Sequence, residues 1–339
     1  MKTVAIVIPC LNEKDYILRC LQSIAQQSYN KDLITTYVCD GGSNDGTIEI
    51  IKDFVKSSNR FLILNNSKKT TPYALNLGIK ESTADVVIIL GAHSEVDNHF
   101  VAKNIETFSE NESIMCVGGV LENVYENETS KIIGSAMSSS FGVGNAHFRT
   151  GNKKGYVDTV AFGAYKRDIF DKVGLFNEEL IRNQDDEFNY RITSAGYKIF
   201  LNPEIKCKYF VRASFKKLYK QYYQYGYWKV YVNVLHKTVT TTRQLVPAAF
   251  VSYLFVLLLS LFVGIKVFFF LSLFLVLYVL MAGFMAFRQN AKPIIAINIA
   301  YTFFILHFSY GMGYLKGIFY FILLKSLSKN TKVYLVKAC

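Results

Sequence analysis

The chain has 339 residues, of which 51% are hydrophobic and 15% aromatic, a composition that excludes a disordered or fibrous protein. All 26 acidic residues lie at or before Glu204 with 21 Lys and Arg, so residues 1–204 carry a net charge of −5. The remaining 135 residues carry 17 Lys and Arg and no carboxylate. Because this positive part is also the most apolar part, we expect the partner to be a membrane with anionic lipids, and no nucleic acid.

Cysteine use predicts a reducing compartment. The six cysteines form no CxxC pair and no zinc-binding spacing. The chain enters an apolar β-branched run at Val4–Pro9 without a secretory signal. Both features are typical of a protein or domain that faces the cytosol.

Strand and helix patterns alternate over the first hundred residues. Short β-branched runs predict strands, and apolar residues at helical spacing predict helices. The alternation indicates an α/β domain with a mostly parallel sheet, which binds ligands at its carboxyl edge. The predicted strands are Val4–Pro9, Leu33–Cys39, Phe61–Leu64 and Val86–Leu90, and the predicted helices are Asp15–Gln27, Thr47–Ser57 and Pro72–Lys80.

The pattern is weaker up to residue 205, where we place the end of the first domain. Residues 115–170 are rich in Gly, Ser and Asn and predict a mixed, loop-rich second half. A helix is predicted at Phe188–Ala195 and a short strand at Ile199–Asn202.

The rest of the chain divides into three predicted parts. Residues 206–244 contain a basic, aromatic, amphipathic helix at Ser214–Tyr231, which we expect to lie in the lipid interface. The alternative is a surface helix packed on the domain. Residues 245–324 form a predicted transmembrane region of two to four helices, and residues 325–339 a basic cytoplasmic tail.

Three apolar tracts make up the predicted transmembrane region. Pro247–Ile265 and Val267–Phe287 are separated by Lys266, and each is long enough to span a ~30 Å hydrocarbon core. Ile294–Leu324 is compatible with a tight helix pair, a re-entrant element or a single tilted span. The basic tail favours an even number of crossings.

Two predicted strands end in polar residues that suit a ligand. Pro9, Asn12 and Glu13 lie at the end of the first strand, and Asp40–Thr47 at the end of the second. Three glycines in the second turn permit positive φ angles and close approach to a ligand, and its leading carboxylate can accept from a base N–H or a ribose hydroxyl. Viewed alone, each segment is equally compatible with a capped turn, in which Asp45 is a helix N-cap.

Two later segments carry titratable side chains. The fourth predicted strand runs into Gly91–Glu95, which contains His93, and the segment Asn183–Arg191 opens a helix with three consecutive carboxylates. Carboxylates at a helix start often only complement the helix dipole. A reaction that activates a hydroxyl, however, needs a carboxylate base, and this cluster could supply one.

In this order, the segments resemble the family 2 glycosyltransferases, whose catalytic domain has the Rossmann-like GT-A fold. The likeness is closest to the membrane-anchored bacterial subgroup that builds exopolysaccharide, typified by succinoglycan glucosyltransferases. Residues 1–200 resemble the catalytic domain. Val211–Val251, which includes Arg243–Pro247, and His307–Gly313 resemble the membrane region of the subgroup.

The resemblance implies an inverting hexosyltransferase that uses a nucleotide sugar, expected to be a UDP-sugar. It implies that Asp185 is the base that deprotonates the attacking acceptor hydroxyl. Three roles are open for Arg191: it would orient the acidic cluster, bind a phosphate of the donor, or form a purely structural ion pair. The implied nucleotide-sugar-binding residues are Pro9, Asn12, Glu13, Asp40, Gly41 and Asp45, and the implied acceptor-binding or site-closing residues are Gly163, Asp186, Arg191, Gln221 and Trp228.

The chain departs from the metal motif of the family. Gly91-Ala92-His93 stands where Asp-x-Asp is common and where the subgroup tends to have Asp-x-His. His93 is therefore the expected ligand of Mn²⁺ or Mg²⁺, and the alternative is that it is a surface turn residue. Glu95 would be a second ligand if the strand continued, because the two side chains would then share a face.

The expected acceptor is a glycan carried on a polyprenyl diphosphate, in exopolysaccharide or cell-surface polysaccharide biosynthesis. The basic, aromatic segment Arg212–Arg243 could hold a lipid diphosphate. Processive synthases carry the signature Gln-x-x-Arg-Trp. The matching stretch of this chain, Gln221–Tyr225, has no Arg, so we expect the enzyme to transfer one sugar per encounter. We expect a multi-pass protein of the inner (plasma) membrane with a cytoplasmic catalytic domain. The alternatives are a polyprenyl-phosphate glycosyltransferase and a non-catalytic scaffold of an envelope assembly.

Overall fold

The computed structural model describes residues 1–56, 58–151 and 153–324, so Ser57 and the predicted basic tail 325–339 lie outside the described residues. The chain divides into two compact units. The first, which we call the α/β unit, comprises Met1–Val124 and Ala146–Phe210. The second, which we call the helical unit, comprises Tyr125–Asn145 and the chain from Val211 onwards.

The elements follow in chain order. The strands are β1 (Val4–Cys10), β2 (Ile34–Asp40), β3 (Phe61–Asn65), β4 (Val86–Ile89), β5 (Ser94–Val96), β6 (Ile114–Val124), β7 (Gly155–Val157), β8 (Ala161–Lys166) and β9 (Lys198–Phe210). The helices are α1 (Ile17–Ala25), α2 (Thr47–Val55), α3 (Thr71–Glu81), α4 (Phe100–Phe108), α5 (Glu128–Met137), α6 (Ser140–Val143), α7 (His147–Thr150), α8 (Ile169–Val173), α9 (Gln184–Ser194), α10 (Phe215–Leu235), α11 (Val246–Val263), α12 (Ile265–Gln289) and α13 (Pro293–Gly317).

One mixed sheet organises the α/β unit, in the order β3-β2-β1-β4-β8-β6-β9-β5, with β7 paired to β9. The strands β3, β2, β1 and β4 are parallel, as the alternating pattern predicts. The strand β8 is antiparallel to both β4 and β6, and β6 and β9 are parallel to each other. The strands β5 and β7 are both antiparallel to β9. The predicted α/β domain is therefore confirmed, but its sheet is mixed and not mostly parallel, with four parallel and four antiparallel pairs among the described strands.

The second half contains more strand than the sequence pattern predicts. The expected short strand Ile199–Asn202 is the start of β9, which has 13 residues, and β6 has 11. Exposed Lys206 and Lys208 alternate with buried Ile205 and Cys207, which is the strand period. Pro203 falls where the β6–β9 register shifts, so the proline does not have to donate to a regular ladder.

Alternating side chains of the buried strands form two apolar clusters, one on each face of the sheet. On β1, Val4, Ile6 and Ile8 belong to the cluster that includes α1, α2 and α4 residues. Ala5 and Val7 belong to the cluster that includes α3, α8 and α9 residues. Helices therefore cover both faces, which leaves the strand ends as the place for a ligand.

The helical unit is built on close contact between α10 and α13. A Cβ atom at Gly226 would lie 2.0 Å from the carbonyl oxygen of Tyr310, and one at Gly313 would lie 2.0 Å from that of Tyr223. Only glycine permits this backbone approach. The helix α10 buries its aromatic residues Tyr222, Trp228 and Tyr231 within the unit, and its place in a lipid interface stays a prediction.

Three helices are long and apolar enough to cross a membrane in the described part of the chain. They are Thr242–Val263, Ile265–Gln289 and Pro293–Leu324. The number of these candidate spans is odd, whereas the basic tail favours an even number of membrane crossings. The first two are separated at Gly264, whose φ is 156°, and not at Lys266. The third tract is one continuous helix with a π-helical end at Ile318–Leu324, and not a helix pair or a re-entrant element.

The segment Tyr125–Asn145 belongs to the helical unit although it lies between two strands of the α/β unit. Its helices α5 and α6 pack against α13. His307 Nε2 lies 2.9 Å from the carbonyl oxygen of Phe141, and its Nδ1 lies 2.9 Å from the hydroxyl of Tyr278. The carbonyl can only accept, so Nε2 carries the proton and Nδ1 accepts from the tyrosine.

Candidate active site

The parallel strands bring the predicted ligand-binding segments to one edge of the sheet. Cys10 at the end of β1 is the register partner of Asp40 at the end of β2. The N–H of Gly41 donates to the carbonyl oxygen of Cys10 at 2.8 Å. The strand β4 pairs with the other side of β1, and the chain then continues to His93. Both turns and the His93 segment therefore follow the carboxyl ends of adjacent strands.

Asp40 shapes the turn that follows β2. Its side chain is buried, and Oδ2 accepts from the N–H groups of Gly42 at 2.9 Å and Ser43 at 3.1 Å. Its Oδ1 accepts from the Ser43 hydroxyl at 2.5 Å. The φ of Gly42 is 81°, in a region of backbone conformation that glycine adopts more readily than other residues. This carboxylate closes an Asx turn, which fixes the backbone that a ligand would approach.

Asn12 joins the turn after β1 to the turn after β2. Its φ of 55° lies in the left-handed region, which asparagine tolerates. Its N–H donates to Ser43 Oγ at 2.9 Å, and its Oδ1 accepts from the N–H of Asn44 at 2.9 Å. The predicted nucleotide-binding segments at Pro9–Glu13 and Asp40–Asp45 are thus held together by hydrogen bonds.

Asp45 organises the start of α2. Its Oδ1 accepts from the N–H of Thr47 at 3.0 Å and from the Thr47 hydroxyl at 2.5 Å. This hydroxyl is the main cause that lowers the pKa of Asp45 below its ordinary value. Gly46, and not Asp45, occupies the N-cap position, with a φ of 99°. The Thr47 oxygen in turn accepts from the N–H of Glu13 at 2.8 Å.

Two lysines that the sequence reasoning missed border the same turn. A Cβ atom at Gly46 would lie 3.7 Å from Lys14 Nζ, and one at Gly42 would lie 3.8 Å from Lys69 Nζ. The φ of Lys69 is 57°, an uncommon value for a residue with a side chain. Their positions in the sequence could have indicated this, because Lys14 directly follows Glu13 and Lys69 lies shortly after the third strand. Together they give the glycine-rich turn a positive border.

The structure pairs His93 with Glu13 and not with Glu95. His93 Nδ1 lies 3.1 Å from Glu13 Oε1. The chain turns at Ala92 and His93, because the N–H of Ser94 donates to the carbonyl of Gly91 at 3.2 Å. Glu95 lies on β5, where its Oε2 accepts from Lys208 Nζ at 2.8 Å. This corrects the expected pairing, since an alternating strand would be needed to put the two side chains on one face.

A divalent metal would find two protein ligands at this edge. The described residues contain no group of three or more His, Cys, Asp and Glu side chains that could hold a metal ion. His93 Nδ1 and Glu13 Oε1 together offer an imidazole nitrogen and a carboxylate oxygen, which suit Mn²⁺. Mg²⁺ and similar ions are often held by one or two protein groups plus substrate phosphates. The donor set therefore fits an ion that binds together with a diphosphate.

The predicted base lies at the start of α9. This helix begins at Gln184, four residues before the predicted start, and is preceded by Asn183 with a φ of 63°. Asp185 is exposed, and its Oδ1 accepts from the N–H of Asp186 at 2.9 Å. Carboxylates in the first turn complement the positive end of the helix dipole.

Arg191 forms a structural ion pair, one of the alternatives that the sequence left open. Its Nε and Nη2 donate to the two carboxylate oxygens of Glu187 at 2.8 and 2.9 Å. The Glu187 side chain is only 2% exposed. Arg191 also donates to the carbonyl oxygens of Val173 and Leu175. It therefore ties the segment after α8 to the helix that carries Asp185.

The strand β8 connects α9 to the carboxyl edge. A Cβ atom at Gly91, after β4, would lie 3.1 Å from the ring of Phe162, whose φ is 49°. A left-handed φ on an aromatic residue within a strand is strained, and such strain is frequent at functional sites. Nearby, Asn189 of α9 donates to Thr159 Oγ1 at 2.9 Å. Gly163 leaves space for Tyr165, because a Cβ there would lie 2.8 Å from that ring.

The other two predicted site-closing residues lie on α10, in the helical unit. Gln221 Oε1 accepts from Arg212 Nε at 3.3 Å, and its Nε2 donates to the Tyr225 hydroxyl at 2.8 Å. Trp228 is 7% exposed and packs against Phe321, with ring centroids 6.0 Å apart. Trp228 thus contributes to the packing of the helical unit, and its site-closing role stays a prediction.

The described cysteines have the character of core residues. All five are buried. Burial raises the pKa of the Cys39 thiol to about 12. A protonated, inaccessible thiol is a poor nucleophile, which agrees with the absence of a reactive-cysteine motif in the sequence.

Comparisons with known proteins identify the family and the fold. Residues 5–174 match the family model described as "Glycosyl transferase family 2". The chain is 30% identical to the dolichyl N-acetyl-alpha-D-glucosaminyl phosphate 3-beta-D-2,3-diacetamido-2,3-dideoxy-beta-D-glucuronosyltransferase of Methanococcus voltae, over 94% of this chain and 98% of that protein. It is 28% identical to the succinoglycan biosynthesis protein ExoA of Rhizobium meliloti (strain 1021), over 72% of this chain and 74% of that protein.

A solved structure has the same fold. The mannosyltransferase PcManGT from Pyrobaculum calidifontis, in complex with GDP-Man and Mn²⁺, superposes with a TM-score of 0.64. The match covers 89% of this chain and 86% of that one at 15% identity, so it supports the fold and not the substrate. The predicted GT-A fold is confirmed. The chain belongs to glycosyl transferase family 2, and the protein is a glycosyltransferase whose described residues include three helices that could span a membrane.

Proposed function

We propose that this protein is an inverting hexosyltransferase that moves a sugar from a UDP-sugar to a hydroxyl of a lipid-linked glycan, in exopolysaccharide or other cell-surface glycan biosynthesis. One observation carries the proposal. The Asp40 turn and the His93–Glu13 pair follow adjacent carboxyl strand ends, and Tyr165 of β8 donates to Asn189 of α9, the helix that carries Asp185 in its first turn. This arrangement supports a donor site, a metal-binding pair and a base in one unit.

The donor would bind over the turn that follows β2. Asp40 and the backbone of Gly41 and Gly42 form its floor, and Asn12 fixes its distance from the turn after β1. Lys14 and Lys69 border it, and their charges would complement the two phosphates. A divalent ion held by His93 and Glu13 would neutralise the leaving diphosphate as a Lewis acid.

Asp185 would act as the general base. It takes the proton of the acceptor hydroxyl while the oxygen attacks the anomeric carbon from the face opposite the diphosphate. The new C–O bond forms as the bond to the diphosphate oxygen breaks, and the nucleoside diphosphate leaves with the electron pair. Because attack and departure are on opposite faces, the configuration at the anomeric carbon inverts. The exposure of Asp185 leaves it accessible to an acceptor.

The relatives support a lipid-linked or polysaccharide acceptor. The name of the Methanococcus voltae relative specifies transfer to a dolichyl-phosphate-linked sugar, and that of the Rhizobium meliloti relative specifies succinoglycan biosynthesis. Three candidate spans in this chain agree with an acceptor that resides in a membrane. We infer a multi-pass protein of the plasma membrane whose α/β unit faces the cytoplasm, where nucleotide sugars are made.

Nucleotide-sugar turnover by the detergent-solubilised full chain tests the proposal. UDP- and GDP-sugars are supplied separately, with Mn²⁺, with Mg²⁺ and after EDTA treatment, and release of the nucleoside diphosphate is measured. We expect slow hydrolysis of one UDP-sugar that depends on the metal. Preference for a GDP-sugar would overturn the donor assignment, and neither turnover nor calorimetric binding of any donor would overturn the function.

A further inference from the structure

The helical unit contains a polar loop directly before its first long apolar helix. The loop comprises Thr238–Gln244, and we call it the head loop. It carries three consecutive threonines and Arg243. The candidate span Thr242–Val263 starts within it, so the loop lies at one end of an apolar helix. The chain supplies no carboxylate after Glu204, which leaves this region strongly positive.

Hydrogen bonds to α10 fix the shape of the head loop. Asn233 Oδ1 accepts from the N–H of Thr240 at 3.1 Å and from its hydroxyl at 2.9 Å. The Asn233 carbonyl accepts from the N–H of Thr238 at 3.1 Å. Asn233 Nδ2 donates to the Tyr314 hydroxyl of α13 at 2.9 Å. The loop is therefore a preformed element and not a loose connection, and preformed sites bind with less loss of entropy.

A buried lysine lies under the loop. Lys229 is one helical turn before Asn233, and only 1% of it is exposed. Its Nζ lies 3.3 Å from the hydroxyl of Thr241. Lysine is almost never buried to this extent. In a water-poor environment its positive charge acts on neighbouring groups with little screening, so it raises the affinity of the head loop for an anion.

Arg243 adds a second cation at the same loop. Its Nη1 donates to the carbonyl oxygen of Asn145 at 3.3 Å. Arg243 also lies close to Gly144, because a Cβ atom added at that glycine would be 3.6 Å from Arg243 Cδ. These contacts orient the guanidinium, whose fork of N–H donors matches the geometry of a phosphate. Beside it, Gln244 Oε1 is a buried acceptor without a hydrogen-bond partner among the described residues; a bound water could donate to it, whereas a phosphate oxygen could not.

We propose that the head loop binds the phosphate of a polyprenyl lipid, as the anchor of the glycan acceptor. The phosphate would accept from Arg243 and from the hydroxyls of Thr241 and Thr242, close to the positive charge of Lys229. The isoprenoid chain would follow α11, which exposes Leu258, Leu259 and other apolar side chains along its length. This inference rests on the proposed function, because it assigns the binding site of that acceptor.

Binding to the full chain in phosphatidylcholine nanodiscs tests the inference. The chain has a single tryptophan, Trp228, next to Lys229, so its emission reports on this region. The probes are a polyprenyl monophosphate, the corresponding diphosphate and the uncharged polyprenol. We expect the two phosphates to bind, and Arg243→Gln and Lys229→Met to weaken their binding by about tenfold, the range typical of a lost charged hydrogen bond.

Lys266→Gln is the matched control, because Lys266 is an exposed cation beyond the other end of α11. It should bind the phosphates as the unaltered chain does. Arg243→Lys, which keeps the charge, should retain part of the affinity and guards against loss of folding. Equal binding of polyprenol and its phosphates, or unchanged binding in both Arg243→Gln and Lys229→Met, would overturn the inference.

Competition separates two sources of the phosphate. If phosphatidylglycerol displaced the polyprenyl phosphate at equal concentration, the site would be a general anionic-lipid site, and the acceptor assignment would be wrong. The donor assay above is independent of this result. Loss of nucleotide-sugar turnover in the unaltered chain contradicts the proposed function, whereas normal turnover with unselective lipid binding contradicts only the head-loop assignment.

Discussion

The imidazole of His93 and the carboxylate of Glu13 lie 3.1 Å apart, and they join the segment after β4 to the turn after β1. In the proposed function, these two side chains would hold a divalent ion together with the diphosphate of the donor.

His93→Ala should raise the Mn²⁺ concentration for half-maximal donor turnover by about tenfold to a hundredfold, because it removes one of the two protein ligands. The measurement is a metal titration after EDTA treatment. Glu95→Gln is the control, since Glu95 pairs with Lys208 and should leave the metal dependence unchanged. The opposite pattern, with only Glu95→Gln changing the titration, would contradict the assignment.

Asp185→Asn should lower the rate of sugar transfer by about 10²- to 10⁴-fold, because the amide cannot take the acceptor proton. The KM for the donor should change little, since the proposed donor contacts lie on the turns after β1 and β2. Steady-state kinetics with a lipid-linked acceptor measures both. Asp186→Asn should have a smaller effect on the rate. Full activity of Asp185→Asn would favour attack by a lipid phosphate, which needs no base.

Arg191→Met should destabilise the α/β unit by about 3 kcal/mol, because it leaves the buried Glu187 carboxylate without its bidentate partner. For a domain of this size, this corresponds to a drop in Tm of about 10 °C. Thermal melting of the solubilised chain measures the change. Lys172→Met removes an exposed pair with Asp168 and is the matched control, with little expected change. A wild-type Tm for Arg191→Met would contradict the packing role.

Gly226→Val should disrupt the helical unit, because even a Cβ atom at this position would lie 2.0 Å from the carbonyl oxygen of Tyr310. Overpacking of this kind costs about 1–3 kcal/mol or more. The measurement is the fraction of monodisperse protein after solubilisation, together with its Tm. Gly283→Val is the matched control, since a Cβ there meets no atom within 4 Å. Equal behaviour of the two variants would contradict the close α10–α13 contact.

Asp85 should make stability sensitive to acid. Its carboxylate accepts from the N–H and the hydroxyl of Thr3, both at 2.8 Å, and these bonds lower its pKa. A depressed folded-state pKa stabilises the fold above the unfolded value of 3.8, and this contribution disappears as the pH falls through the folded pKa. Asp85→Asn should therefore have a lower Tm than the wild type at pH 6, and the difference should narrow below about pH 4. A constant difference down to about pH 3 would contradict this origin.

The parallel half of the fold was predictable because its signals are local. β-branched runs such as Val4–Cys10 and the glycine-rich turn at Gly41–Gly46 specify strands and turns within a few residues. Strand ends could then be grouped by the parallel-sheet rule. This rule predicts that the proposed nucleotide-binding segments Pro9–Glu13 and Asp40–Asp45 lie together, and the structure joins them through Asn12.

The remaining features depend on partners far away in the sequence. Glu13 and His93 are 80 residues apart, and no local pattern indicates that they meet. The segment Tyr125–Asn145 joins the helical unit through residues such as His307, 166 positions from Phe141. The burial of the aromatic side of α10 follows from the glycines of α13, because only their small size lets the backbones approach.

The most direct test of the central claim is to follow the sugar itself. The full chain in nanodiscs is incubated with a sugar-labelled UDP-sugar, Mn²⁺ and a polyprenyl-diphosphate-linked glycan, and the organic-phase product is analysed for label and anomeric configuration. We expect label in the lipid-linked product, with an anomeric configuration opposite to that of the donor, and we expect its formation to depend on Asp185. Label that stays in water-soluble sugar, or a product with retained configuration, would contradict this expectation.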